Sequence, residues 1–463
     1  MKEHCPSAID RSDSAALTLP LWSSAAADRP IAWRAGKPVG LSEFARHVAV
    51  LADCLPAGSA MINLCEDRYQ FLVAYAAAMT AGHTTLLPHT RAEQVVAEIE
   101  QAHSGSYCCS DAMVASALLR CPEDDGRTNQ AGVTPRVLAN HVAMIGFTSG
   151  STGQAKAFPN LWRSVSGSSA CTAAAMRDAL KIADTAVPWI VATVPPQHTY
   201  GMELSILLPL IGGMAVHSGR PLFPADIAAA LAEIPEPRVL VSTPVHLRAI
   251  VESSQEFPRT ALIVSATAPL DATLAAAAEK KLGGQLLEVF GSTETCAFAR
   301  RRTAVDKWWR LYTGVTLQPI PDGTLVNAPW FAAPTLLQDV VEPRGSEEFI
   351  VRGRNTDLIE VAGKRASLAD LTRRLQAIAG VKDAVVFQPE QEAVGTIRRV
   401  AALVVAPGLT AKEIIERLAP GVDSAFIPRP LVIVEALPRN ELGKLPLGAL
   451  LRAMKGSASS ASS

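Results

Sequence analysis

The chain has 463 residues, 49% of them hydrophobic and 19% charged, with a formal net charge of −1 at pH 7. Its length predicts two or more domains, and its apolar content excludes a disordered chain. The balanced charge gives no footprint for nucleic acid, and no run approaches the roughly 18 apolar residues of a membrane span.

Residues 1–30 are rich in Ser and Ala and predict a loosely ordered lead-in. The opening MKEHCPSAIDRSDS has no apolar core of the secretory kind, so a cytoplasmic location is expected. Leu41, Phe44, Val48, Leu51 and Leu55 recur at helical spacing. A buried strand follows at 60–64, then a helix over 67–81 closed by Gly82. Residues 84–87 read as a strand and 92–101 as a helix, and the alternation continues through strands at 190–194, 238–242 (RVLVS) and 261–265 (ALIVS). This pattern predicts an α/β fold of layered type with a largely parallel sheet. At 352–357 (RGRNTD) the pattern turns polar, and beyond it lies a compact α+β unit. That unit reads as helices at 368–378 and 411–418 with strands at 384–387, 399–405 and 431–434. The low-complexity KGSASSASS end predicts a disordered tail. The eight cysteines form no CxxC pair and are expected as buried thiols of a reducing compartment.

The segment 147–156 reads FTSGSTGQAK. It is not a Walker A loop, because Gln154 and Ala155 separate Gly153 from Lys156. Its glycines nevertheless permit close backbone approach, and successive N–H groups, hydroxyls and a lysine suit an anion. By itself such a run is read first as a linker. Three further stretches change its weight: VFGSTET at 289–295, LQD at 337–339 before Gly353 and Arg354, and LPRNELGK at 437–444.

In this order the four stretches resemble the adenylate-forming superfamily of acyl- and aryl-CoA synthetases, peptide-synthetase adenylation domains and luciferases. The resemblance covers residues from about 40 to 452. It implies a large α/β adenylation domain over 1–353, a hinge at 354–357, a small mobile domain over 358–455 and a tail at 456–463. It also implies two half-reactions, in which a carboxylate takes AMP from ATP and a thiol then displaces the AMP.

Carried over by motif, Thr148, Ser149, Gly150, Ser151, Thr152, Gly153 and Lys156 would hold the β- and γ-phosphates. Thr293 would meet the α-phosphate, beside Gly291 and Ser292 of the same motif, and Glu294 would ligate Mg²⁺. Ala266, Thr267 and Ala268, in SATAPL, would flank adenine. Asp339 precedes Arg354 by fifteen residues, the spacing of the family's two ribose contacts. Lys444 would bridge the reacting carboxylate and the nucleotide, supplying positive charge where negative charge builds up.

For the acid, PPQHTYGME at 195–203 resembles the segment bordering the family's acyl pocket. The implied pocket residues are His198, Tyr200, Gly201, Ser265, Phe290 and Thr295. Thr199 stands where amino-acid-activating relatives carry aspartate, which argues against an amino acid. A hydroxybenzoate-like aryl acid or a short acyl chain fits better, and the chain looks similar to stand-alone ligases that load aryl starters onto acyl carrier proteins in pigment pathways. Gly363, Lys364 and Arg365 would face the incoming thiol, on a carrier-protein phosphopantetheine or on CoA. Ala155 replaces the family's usual proline, Thr356 its hinge Asp or Lys, and Glu360 the lysine of many thioester-forming members. These departures also admit a non-catalytic nucleotide-binding relative.

Overall fold

The structure is a computed structural model. It describes residues 17–23, 29–121, 134–149, 155–183, 185–321, 323–354, 358–361, 364–389, 400–440 and 443–460. At 148–149, 155, 354, 358, 360–361, 364–365 and 456–460 the description is of backbone alone.

The chain forms two compact units. One comprises Met1–Leu317, Val326–Leu336 and Pro343–Phe349, and the other Gln318–Leu325, Leu337–Glu342 and Ile350–Ser463. The chain thus passes between units several times before Ile350, a division that differs from a single boundary after Gly353. Contiguous sequence reading does not reveal such crossings, because each piece is assigned to a unit by contacts with residues distant in sequence.

The first unit is α/β, with two sheets. In the smaller, the strands run in the order Ser106–Cys109, Ala60–Asn63, Thr84–Leu87, Val142–Ser149, Ala155–Leu161. The first four are parallel, and the last two form an antiparallel hairpin. In the larger, Pro30–Arg34, Ala215–His217, Trp189–Ala192, Arg238–Ser242, Leu262–Ser265 and Gln285–Ser292 are parallel neighbours. Cys296–Arg301 and Trp309–Leu311 extend it in antiparallel fashion.

The helix Arg68–Thr80 contacts strands of both sheets and is buried on every side, from Arg68 to Met79. An all-round apolar helix of this kind belongs in a core. Asp67 caps it, accepting a hydrogen bond from the Gln70 amide, and Gly82 beyond its end has φ +77°. Leu41–Cys54 buries Phe44, Val48 and Leu51 on one face, as its spacing predicts.

Within the lead-in expected to be loose, the described residues 17–23 are anchored. Thr18–Pro20 pairs with Arg136–Leu138, and Leu21 and Trp22 are buried, Trp22 edge-on to Phe44 at 5.5 Å. The thiols also differ from expectation: Cys65, Cys109, Cys171 and Cys296 are buried, whereas Cys54 and Cys108 are exposed. No helix among the described residues is long and apolar enough to cross a membrane.

The second unit packs the helices Leu368–Gln376 and Ala411–Leu418 on a sheet of Asp383–Phe387, Ala401–Val405 and Leu431–Ile433. Its core contains Leu371, Leu375, Val386, Val404 and Ile414. A capping box joins Thr410 and Glu413 at the start of the second helix. The final helix, Leu447–Ser460, runs into the segment that composition marks as a disordered tail.

Candidate active site at the carboxyl ends of the parallel strands

Open parallel sheets bind ligands beyond the carboxyl ends of their strands, where connecting loops cluster. Four adjacent strands end together here, three of them in motif-bearing segments. Trp189–Ala192 leads to PPQHTYGME, Arg238–Ser242 to STPVH, Leu262–Ser265 to SATAPL, and Gln285–Ser292 to GSTET.

The GSTET turn is locked from within. The Ser292 amide donates to Thr295 Oγ1 (3.0 Å) and the Thr295 amide to Ser292 Oγ (3.3 Å). Gly291 is required by close approach, since a Cβ there would lie 2.0 Å from the Cys296 carbonyl oxygen. Cys296 itself has φ +53°, a strained value for a residue with a side chain. Asn160, on the strand after the Gly/Ser/Thr run, anchors the turn from outside. Its Nδ2 donates to the Thr293 carbonyl (3.1 Å), and its Oδ1 accepts from the Cys296 thiol (3.6 Å).

Gly146 marks where three segments meet. A Cβ at this position would lie 2.8 Å from Thr293 Cγ2 and 3.6 Å from Thr199 Oγ1. The strand entering the Gly/Ser/Thr run therefore touches both the HTYG segment and the GSTE turn. Across the hairpin, Thr148 pairs with Lys156 and Ser149 with Ala155, and Lys156 is exposed. Gly150, Ser151, Thr152 and Gly153 lie outside the described residues, as do the side chains of Thr148 and Ser149.

In the HTYG segment His198 is the half-buried N-cap of the short helix Thr199–Met202. Gly201 is again dictated by packing, because a Cβ would fall 1.9 Å from the Pro195 carbonyl oxygen. The Tyr200 hydroxyl lies 3.0 Å from the carbonyls of both Ser242 and Val264, so its donor is spent on strand ends, and burial pushes its pKa well above the usual value. Thr295 is likewise occupied by the turn. Phe290 packs in an aromatic cluster with Phe298, Trp309 and Phe349, at centroid distances of 5.5, 5.0 and 5.7 Å. Ser265 is fully buried, with its hydroxyl lacking a partner among the described residues.

In SATAPL, Thr267 has φ +79°, a left-handed conformation that favours glycine and that a β-branched residue holds only under constraint. The loop's far end is held by Glu288, which accepts from the Leu270 amide while bound to Arg301 Nε (2.7 Å) and Thr303 Oγ1 (2.6 Å). Ala266 packs against the main core, and Ala268 is half-buried in the loop.

Two buried charged residues that motif reading misses flank the π-helical turn Glu203–Leu207. Arg68 donates to the carbonyls of Ala192 and Val194, each at 2.9 Å, and to Ser205 Oγ. Burial and the nearby Arg220 lower its pKa to about 9. Glu203 accepts from the Ala297 amide (2.9 Å) and lies 3.1 Å from Ser168 Oγ, and burial raises its pKa to about 7. A single acid inside the apolar run MELSILLPL was the available sequence signal.

Asp339, Arg354 and Lys444 belong to the second unit. Asp339 opens the strand Asp339–Arg344, and its carbonyl accepts from Thr324 Oγ1 (2.9 Å). Arg354 ends the strand Glu348–Arg354, its side chain outside the described residues. Gly363 and Thr356 lie outside them too, with the side chains of Glu360, Lys364 and Arg365. Lys444 is exposed at the end of a tight turn: its amide donates to Asn440 Oδ1 (2.9 Å), and its carbonyl accepts from the Asn440 amide (2.9 Å). Gly443 has φ +75°, and its carbonyl accepts from Arg439 Nη1 (2.7 Å). Arg439 is held in turn by both oxygens of Asp383.

The AMP-binding enzyme family matches the chain over residues 25–326. A 4-coumarate–CoA ligase of Rhodobacter capsulatus is 30% identical over 250 residues, an alignment spanning 51% of this chain and 58% of that relative. ATP-bound MatB from Rhodopseudomonas palustris has the same fold, with TM-score 0.74 and 17% identity over 94% of this chain and 97% of that one. So does o-succinylbenzoate CoA synthetase (MenE) from Bacillus subtilis, solved with its acyl-adenylate intermediate OSB-AMP, with TM-score 0.75 and 16% identity over 94% of this chain and 98% of that one.

Proposed function

Because the chain belongs to the AMP-binding enzyme family, we propose that it activates a small carboxylic acid with ATP and passes the acyl group to a thiol. The meeting of the loop strand, the HTYG segment and the GSTE turn at Gly146 carries this reading. It brings the strand entering the candidate phosphate loop, in the smaller sheet, against an acyl-pocket segment and an α-phosphate hydroxyl that follow parallel strands of the larger sheet.

In the first half-reaction a carboxylate oxygen attacks the α-phosphorus, and the bond to pyrophosphate breaks. The loop ending in Lys156 holds the leaving phosphates, and Thr293, kept in place by Asn160, donates to the α-phosphate. Among the described residues no three His, Cys, Asp or Glu side chains gather to hold a metal. Glu294, a half-buried carboxylate in the turn and a hard oxygen donor, would hold a Mg²⁺ ion. Such an ion would neutralise the charge on the phosphates. Asp339 and Arg354 bind the ribose, and Lys444 offsets the repulsion between two anions. In the second half-reaction the thiol sulfur attacks the acyl carbon and AMP departs, with Gly363, Lys364 and Arg365 facing the incoming thiol.

A hydroxybenzoate-like aryl acid is the favoured substrate, because Thr199 stands where amino-acid-activating relatives carry aspartate and His198 borders the segment. The test incubates the intact protein with ATP, Mg²⁺ and hydroxylamine against benzoates, cinnamates, short acyl acids and amino acids. Pyrophosphate release with a hydroxylated aryl acid is expected. Release with a short acyl acid alone would replace the aryl reading, and no release with any acid would leave a non-catalytic nucleotide binder. Thioester formation compared between CoA and a holo-carrier protein identifies the acceptor.

Gly146→Ala is expected to reduce pyrophosphate release by on the order of 10- to 100-fold, the scale of a small misplacement near the chemistry. The new Cβ displaces Thr293, against whose Cγ2 it would sit at 2.8 Å. Thr293→Ser removes that methyl and keeps the hydroxyl, so adding it to Gly146→Ala should restore part of the loss. Absence of any rescue in steady-state rates would mean that the two residues do not act together.

A further inference from the structure

Glu203 is only 4% exposed and forms no ion pair with a described residue. A lone buried carboxylate is costly, so its hydrogen bonds decide its form. Oε2 accepts from the Ala297 amide (2.9 Å) and lies 3.1 Å from Ser168 Oγ. Ser168 Oγ has one proton, and the shorter contact, 2.7 Å, runs to the Ala297 carbonyl. Once that bond uses the hydroxyl proton, the contact between Ser168 and Glu203 sets two acceptors against each other. It becomes a hydrogen bond only when the carboxyl carries a proton. The Ala297 N–H then donates to Oε2, the Oε2 proton goes to Ser168 Oγ, and the Ser168 proton to the Ala297 carbonyl.

We infer that Glu203 is a positioning residue for the GSTE turn, acting as a neutral carboxylic acid that closes a hydrogen-bonded ring with Ser168 and Ala297. Ala297 lies three residues after Glu294 and pairs with Gly291 where the sheet register shifts. Both of its backbone groups belong to the ring, so the ring grips the strand at the foot of the turn. Glu203 follows the HTYGM segment directly, and Ser168 comes from the helix Trp162–Leu180. The ring therefore ties the candidate acyl segment to the turn bearing Thr293 and Glu294. The titratable groups facing Glu203 are the Cys296 thiol and the Tyr312 hydroxyl, both pushed above their ordinary values, first by burial and then by Glu203 itself. Neither competes as a charged partner near neutral pH, and burial raises Glu203 to about 7.

The role in catalysis rests on the activity proposed above, whereas the ring is testable without turnover. Difference infrared spectra of the intact wild type against Glu203→Gln at about pH 6 should show a protonated-carboxyl stretch that fades as pH rises through about 7. Hydrogen exchange over 291–299, corrected for intrinsic rates, should quicken across the same range in wild type. It should be fast throughout in Glu203→Ala and independent of pH in Glu203→Gln, whose amide oxygen still accepts from Ala297. In pyrophosphate release, Glu203→Ala should lower kcat by on the order of 10-fold or more with little change in KM for ATP. Absence of the protonated band, or pH-independent exchange in wild type, overturns the inference. Glu203→Gln keeps these readouts available if Glu203→Ala fails to fold. A wild type that releases no pyrophosphate removes the proposed activity and leaves the spectrum and exchange to decide the ring.

Discussion

Lys444→Ala is expected to lower acid-dependent pyrophosphate release by about 10²–10³-fold, the usual loss of one transition-state electrostatic donor. Attack of a carboxylate on a phosphate brings two anions together, and a lysine at that point offsets repulsion that grows along the reaction coordinate. The substitution should leave the turn standing. Lys444 bonds to Asn440 through its own amide and carbonyl, and Arg439 holds the Gly443 carbonyl while clamped by Asp383. All of these contacts survive in the alanine variant. Thioester formation from preformed acyl-adenylate involves no attack on phosphorus and should fall far less. Equal losses in the two half-reactions would show that Lys444 acts through the fold and has no special part in adenylation.

Glu203→Gln should change how stability depends on pH, by about 3 kcal/mol across the range in which Glu203 titrates. In the folded protein burial raises its pKa from 4.5 to about 7, while the unfolded chain keeps the ordinary value. Below about 4.5 both states are protonated and burial exacts no ionisation penalty. Between 4.5 and about 7 only the unfolded chain ionises, so folding stability falls as pH rises, and above 7 the loss is complete. A raised span of this size corresponds to about 3 kcal/mol. The glutamine variant has no such proton to lose. Its stability relative to wild type should therefore move in its favour by that amount between about pH 4.5 and 8, read from urea unfolding at each end. Other groups titrate in both proteins and cancel in the difference. A difference independent of pH would mean that Glu203 is ionised in the folded state throughout.

Local pattern was a sound guide to the elements. The strands Thr84–Leu87 and Arg238–Ser242 and the helix Ala411–Leu418 match the predicted bounds. Others shift by a residue or two at frayed ends. These elements are set by periodicity and by caps such as Asp67 and Thr410, both of which act within a few residues. The strand Thr18–Pro20 was hidden because its partner, Arg136–Leu138, lies more than a hundred residues on. Pairing at that separation leaves no mark on local composition. The interleaved division of the two units escaped for the same reason.

Motifs likewise nominate candidate site residues without revealing what supports them. Asn160 carries no local signal, and its importance comes from the Thr293 carbonyl 133 residues away. Gly146 reads in sequence as an ordinary interruption of an apolar strand. Only the approach of Thr293 and Thr199 explains why no side chain fits there. Thr267 and Cys296 are residues that normally avoid positive φ, so neither predicts the conformation it adopts.

From the sequence alone came the α/β class, the order of its elements and the resemblance to adenylate-forming enzymes, because hydrophobic period, capping and motif chemistry are all short-range properties. Tertiary structure decided which segments meet at Gly146, which glycines are obligatory, and what holds the GSTE turn. It also decided the state of Glu203. The chain shows an acid in an apolar run, but its protonation depends on Ser168, 35 residues away, and Ala297, 94 residues away. A buried group's charge is set by the donors and acceptors that packing brings to it, and those distances exist only once the chain has folded.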